Sequence, residues 1–310
     1  MIRKCRTVVG LALGAALMTT NMIPALAQTG SAANNPLGLR PPSGLDVIPI
    51  MEGAYDNEDG SFTVSFGYHN RNREQALDIP FGPNNYIEPA QFDGMQPTHF
   101  STDRHTGVFT VTVPASMRNE SIWWHIKTGN NETLKVPGRF GKMGYTLDKA
   151  PRPQGSISPR AWFVEGGPKA SDPEGQMSDT ALTVSAGEPI QLTAHADDPS
   201  IRDMTDPRNA KPIPLRISWW HHQGAGSVTF ARHETTPAPE QPAPGSRARP
   251  LGEHEVKLID GKGTAHVYAT FSQPGEYMIR TLVDNWDATD STEADQCCWT
   301  NLFQKVTVTP

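Results

Sequence analysis

The feature that most narrows what this chain can fold into is a two-residue rhythm. In "SFTVSFGY" Phe62, Val64, Phe66 and Tyr68 share one side while Thr63 and Ser65 take the other, the signature of a half-buried strand. "GVFTVTVP" repeats it with Phe109, Val111 and Val113, and "SIWWHIK" with Ile122, Trp124 and Ile126. The turn-formers "NEDG" and "GNNE" bound these runs. With 27 Gly and 28 Pro breaking the apolar residues into short pieces, and no sustained helical period, the expected fold is all-β.

The chain opens with an export signature. Arg3, Lys4 and Arg6 precede the apolar "TVVGLALGAALMTT", and "ALA" at 25–27 gives a small-residue cleavage site. Residues 1–27 are therefore expected to be a signal peptide and 28–45, rich in small and polar residues, a flexible leader. Removing the signal takes away three of the 27 Lys and Arg and none of the 33 Asp and Glu, which moves the formal charge from −6 to −9. That acidic, dispersed balance argues against nucleic acid, and no second apolar stretch is long enough to span a membrane. About 280 remaining residues suggest two domains: a β-sandwich over 46–140, a linker over 141–159 and a second sandwich over 160–310. The stretch from Phe81 to His105 reads mostly as loop, because prolines interrupt any ladder. "ETTPAPEQPAPGSRARPLG" reads as an exposed proline-rich excursion.

The second half carries a recognisable pattern. "AGEPIQLTAHADDP" ends on Asp198-Pro199, "LRISWW" offers Trp219 or Trp220 on a third strand, and Phe271, Pro274, Gly275, Tyr277, Ile279, Val283 and Asp284 follow in order. This resembles a PKD-like, immunoglobulin-like domain over about 130 residues. The resemblance implies an immunoglobulin-like sandwich in the second half and a spacer, adhesion or carbohydrate-associated role, without specifying which. With the sandwich read from the strand pattern of the first half, the expected fold is two immunoglobulin-like β-sandwiches in tandem.

Candidate chemistry is concentrated near the C-terminus. Cys297 and Cys298 are the only cysteines after signal removal. Adjacent Cα atoms lie about 3.8 Å apart across a trans peptide, short of the usual disulfide span. The pair therefore forms a vicinal disulfide in a tight turn, stays as buried thiols, or bonds a partner chain; lone adjacent thiolates do not suit a metal. "DNWDATDSTEAD" supplies Asp284, Asp287, Asp290, Glu293 and Asp295. These, together with Asp197 and Asp198 across the domain, are calcium-ligand candidates, against the alternative of a solvated acidic loop. Trp123-Trp124 and Trp219-Trp220 are strand pairs, so one ring of each faces outward. Trp123, Trp220, Trp286 and Trp299 are the candidate ligand-stacking rings. His221 and His222 point to opposite faces, and His69, His99 and His105 sit in or near loops of the first domain.

No nucleophile-elbow, zinc-protease or phosphate-loop motif is present. The expectation is an exported, non-enzymatic binding module at the cell envelope or outside it. It would need no cofactor unless calcium binds, and its partner would be polysaccharide or envelope protein. The opposing reading is a secreted hydrolase using the carboxylates and histidines of the first-domain loops.

Overall fold

In the computed structural model, which describes residues 41–236, 250–291 and 297–310, the alternating runs fold as strands. The first half contains β1 (Val47–Asp56), β2 (Phe62–Asn70), β3 (Leu77–Asp78), β4 (Asn85–Glu88), β5 (His99–Phe100), β6 (Asp103–Val113), β7 (Ile122–Lys127) and β8 (Thr133–Gly138). Sheet β1-β2-β6 faces sheet β4-β7-β8, and β3 pairs with β5. Phe62, Val64, Phe66 and Phe109 from one sheet meet Ile87, Ile122, Trp124 and Ile126 from the other in one buried core. The Trp124 ring stands edge-on to Phe109 at 4.9 Å and to Phe66 at 6.0 Å, the geometry aromatic quadrupoles favour.

The second half contains β9 (Arg160–Trp162), β10 (Gln176–Met177), β11 (Leu182–Ser185), β12 (Pro189–Asp197), β13 (Leu215–Gln223), β14 (Val228–Arg232), β15 (Glu255–Leu258), β16 (Lys262–Phe271), β17 (Gly275–Asp284) and β18 (Trp299–Thr309). Sheet β9-β12-β16-β14 packs on sheet β13-β17-β18, which β15 extends at one side and β10 and β11 at the other. In chain order these are the ABED and CFG sheets of an immunoglobulin constant-type sandwich. Two further features agree. Trp219, on the third strand of that scheme, is buried at 1% exposure. The Tyr277 hydroxyl, at the start of β17, donates to the Gln273 carbonyl at 2.8 Å, as in a tyrosine corner. The molecule is all-β, with one hydrophobic core in each half.

Several expected loops turn out to be packed. Leu45, placed in the flexible leader, exchanges hydrogen bonds of 2.7 and 2.8 Å with Asn72; residues 1–40 lie outside the described residues, and with them the signal peptide. The stretch from Phe81 to His105 holds β4 and β5. Buried Asn85 organises it, donating to the Ile79 and Pro97 carbonyls and accepting from Trp124 Nε1 at 3.0 Å. Within 141–159, expected as the linker, Leu147 is buried beside Tyr55 and Trp299, and its N–H reaches the Ala54 carbonyl. Of the proline-rich excursion, 237–249 lie outside the described residues.

The two cores are joined by a polar seam. The Thr98 N–H donates to the His222 carbonyl, His222 Nε2 meets the Met95 carbonyl at 2.8 Å, and Gln223 donates to the Gly94 and Gln96 carbonyls. His221 stacks on His99 at 4.3 Å. Gly107 in β6 has φ +55°, and a Cβ there would overlap the Trp299 ring. Gly107→Ala should therefore lower stability by about 1–3 kcal/mol in urea unfolding, whereas Gly144→Ala, with nothing near its Cβ position and no positive φ, should change it far less.

Burial holds His105, His221 and His222 down at about 3 from an ordinary 6.5. The unfolded chain takes up protons at these groups below about pH 6.5, and the folded chain resists them. Their contribution is full above pH 6.5 and is lost as pH falls toward 3, at up to roughly 1.4 kcal/mol per pH unit for each group. Thermal melting should already weaken between pH 7 and 5, above the carboxylate range.

Candidate functional site

Alternation along β13 builds the site. Leu215, Ile217 and Trp219 enter the core, so Arg216, Ser218 and Trp220 take the opposite face of the strand. Strand pairing lines up β17 beside them: Arg216 opposite Asp284, Ser218 opposite Leu282, and Trp220 opposite Arg280. Strand β18 adds Trp299 beside Asp284, Asn301 beside Leu282, and Phe303 beside Arg280. On a free sandwich this outer face would be wet. Here the segment Ser101–Thr106, leading into β6 of the first half, lies across it and leaves a cleft of about 400 Å³, within the range of small-molecule sites.

Aromatic rings and charges share that cleft. Trp220 stands edge-on to His105 at 4.6 Å and to His254 at 4.3 Å. Arg216 donates twice to Asp284, at 2.9 and 3.1 Å, and its guanidinium lies 5.0 Å from the Trp286 ring centre. Burial pushes the Asp284 carboxyl up, and Arg216 partly offsets this. Arg280, 2% exposed, donates from Nε to Asn301 Oδ1 at 2.9 Å and from Nη2 to the carbonyls of Thr106 and Gly107 at 3.0 and 3.1 Å. Burial lowers its pKa to about 10, which leaves it charged at neutral pH. His105 meets the Thr102 carbonyl through Nε2 at 2.9 Å and, held at about 3 by burial, stays neutral. At the cleft mouth Asp103 adopts φ +72°, a conformation asparagine and aspartate tolerate best.

The expected site residues separate. Trp220, Trp286 and Trp299 all line the cleft, with Trp286 42% exposed. Trp299 was expected to face outward. It is buried at 4% exposure, because the glycine at 107 lets its ring approach the β6 backbone closely. Its Nε1 has no hydrogen-bond partner among the described residues. Trp123 does face outward, under the Lys135 ammonium at 4.7 Å, on β7 and away from the cleft.

The three described carboxylates of the acidic run do not converge. Asp284 pairs with Arg216, Asp287 with Lys257 at 2.5 Å, and Asp290 accepts from Ser156 Oγ at 2.5 Å and from the Gln154 N–H. Asp197 is held by Arg160 and Lys169, and Asp198 by Arg202 and Ser200. Glu293 and Asp295 lie outside the described residues, and among the described residues no cluster suited to a metal forms. Cys297 and Cys298 are joined to each other, with Cα atoms 3.1 Å apart. Both are buried, so the pair is not on a surface turn, and Cys298 backs the cleft.

Of the histidines expected in first-domain loops, His69 lies in β2, His99 in β5 and His105 in β6, and only His105 lines the cleft. Sequence reasoning missed Arg216, Arg280 and His254. The first two were legible as outward positions on β13 and β17, but not as neighbours.

No family model matches the chain, and no curated protein matches it significantly. Among solved structures, the D00-D0 domain of Intimin overlaps at 12% identity and TM-score 0.23, covering 86% of this chain and 100% of that one. The Yersinia pseudotuberculosis adhesin InvE overlaps at 11% identity and TM-score 0.21, covering 83% and 58%. A protein of unknown function from Porphyromonas gingivalis W83 overlaps at 11% and 0.21, covering 84% and 99%. Overlaps this loose carry no argument about activity or partner.

Proposed function

We propose that this chain is an exported binding module whose ligand is a saccharide seated in the cleft between the two sandwiches. The observation that carries this reading is the convergence of Trp220 and Trp286 with Arg216, Asp284 and Arg280 around one space of about 400 Å³. Sugar rings present an apolar face and a hydroxyl edge. Aromatic faces take the first, and fixed charged hydrogen-bonding groups take the second. The PKD-like pattern through Phe271, Pro274, Gly275 and Tyr277 fits the same reading, as does the export signature of residues 1–27 for a place at the envelope or outside the cell. Among the described residues no helix is long and apolar enough to cross a membrane.

Hydrolysis finds less support in the same groups. Asp284 is committed to Arg216, and a histidine held at about 3 is a weak base at neutral pH. From the first half, the start of β6 supplies His105 and Asp103 to the cleft and no facing pair of free carboxylates. A panel of oligosaccharides titrated against intrinsic tryptophan fluorescence tests the proposal. Binding should weaken at least about 10-fold in Trp220→Ala or Trp286→Ala, as expected when an aromatic stacking contact is removed, while Trp123→Ala should leave it unchanged. Equal binding by all three variants, or turnover of any sugar, would overturn it.

A further inference from the structure

Three arginines reach the cleft, and among the described residues only two have a carboxylate of their own. Arg104 Nη2 donates to Glu52 at 2.6 Å, and Arg216 is tied to Asp284. Arg280 is the most deeply buried of the three, and each acceptor it touches is neutral: Asn301 Oδ1 and the carbonyls of Thr106 and Gly107. The carboxylates that act on it from a distance are Glu52 and Asp284, the same two already engaged by the other arginines. Asp103 and Glu255 also line the cleft, yet neither is among the groups acting on Arg280, and Glu255 accepts from the Gly252 N–H at 2.7 Å. A buried charge without a counter-charge is costly. Nη1 of Arg280 makes no hydrogen bond among the described residues, and the residue lines the cleft. It is therefore a charged donor left over for whatever enters.

We infer that the cleft selects a sugar carrying an anionic substituent, which seats against Arg280 while the ring stacks on Trp220. This rests on the saccharide reading and goes further by naming the ligand class. Trp220 and Arg280 sit opposite each other across the β13–β17 ladder, so one ring with one charged substituent spans both contacts. The chemistry asks for a negative oxygen able to accept from a guanidinium. A ring carboxylate and a sulfate ester both supply it.

The test is calorimetric titration of the purified full chain with matched sets of short oligosaccharides. One set is neutral, one has hexuronic acids in place of the hexoses, and one has sulfate esters on the same hexoses. A charge-assisted hydrogen bond predicts at least about 10-fold tighter binding of one acidic set over its neutral counterpart. That preference should shrink as sodium chloride is raised, whereas neutral binding should not. Which acidic set binds tighter tells carboxylate from sulfate.

Arg280→Gln should abolish the preference. Because that change sits in the seam, the salt series on the unaltered chain tests the same contact without it. Trp220→Ala should weaken neutral and acidic sugars alike. Neutral sugars binding as tightly as both acidic sets would overturn this inference and leave the saccharide reading intact. No binding of any set would overturn the saccharide reading, and this inference with it.

Discussion

The arrangement depends on a buried cation. Arg280 projects from the outer face of β17 to strand β6 of the first sandwich, where it donates to the carbonyls of Thr106 and Gly107 while Asn301 steadies its Nε. Asn301 also donates to the Gly107 carbonyl at 2.9 Å and to the Pro173 carbonyl at 2.7 Å. One backbone point of β6 is thus held by two side chains from two neighbouring strands of the other half. Hydrogen bonds to a charged group are each worth about 1.5–3 kcal/mol, and they act here where water cannot compete. The seam is built from such contacts and from ring stacking, with few of the aliphatic contacts that dominate the two cores.

That composition explains why a ligand-sized space exists at all. Two apolar faces pressed together would close to native packing density. A face bearing Arg216, Ser218, Trp220, Arg280 and Asp284 cannot collapse in this way, because each polar group needs a partner at hydrogen-bond distance. The first half meets that need mainly at one end of the sheet, through Thr106 and Gly107 on Arg280 and Asn301 and through the 94–98 loop on His222 and Gln223. Beyond that end the sheet remains covered but unfilled. The cleft is a consequence of polar residues sharing a face with an incomplete lid.

The histidines belong to the same logic. His105 is at once a seam residue and a wall of the cleft, stacked on Tyr68 at 4.8 Å and edge-on to Trp220. His222 contacts Phe303 at 5.3 Å between ring centres. Each stays neutral because it is buried near Arg280, and its charge would face a fixed positive group. Docking of the halves, the protonation state of the seam and the shape of the cleft are therefore coupled through a handful of side chains.

Much of this was legible in the sequence. The alternation in 107–113 and 121–127 identified half-buried strands, and that in 62–68 identified a strand which the structure buries on both faces, Thr63 and Ser65 included. Pro274-Gly275-x-Tyr277 identified the corner of an immunoglobulin-like sandwich, because side-chain alternation and turn chemistry are local properties. The same locality showed that one ring of each tryptophan pair faces outward, as Trp123 and Trp220 do. Tertiary structure decided what those outward faces meet. Trp123 meets Lys135, Trp220 meets two histidines from elements far apart in the chain, and Trp299 is buried through a glycine nearly two hundred residues away. Asp284, Asp287 and Asp290 looked like one cluster because they are neighbours in sequence. In space Arg216, Lys257 and Ser156 draw them to three different partners. Local periodicity determines which side of a strand a residue occupies. Only the register between strands and the docking of one sheet on another determine what stands across from it.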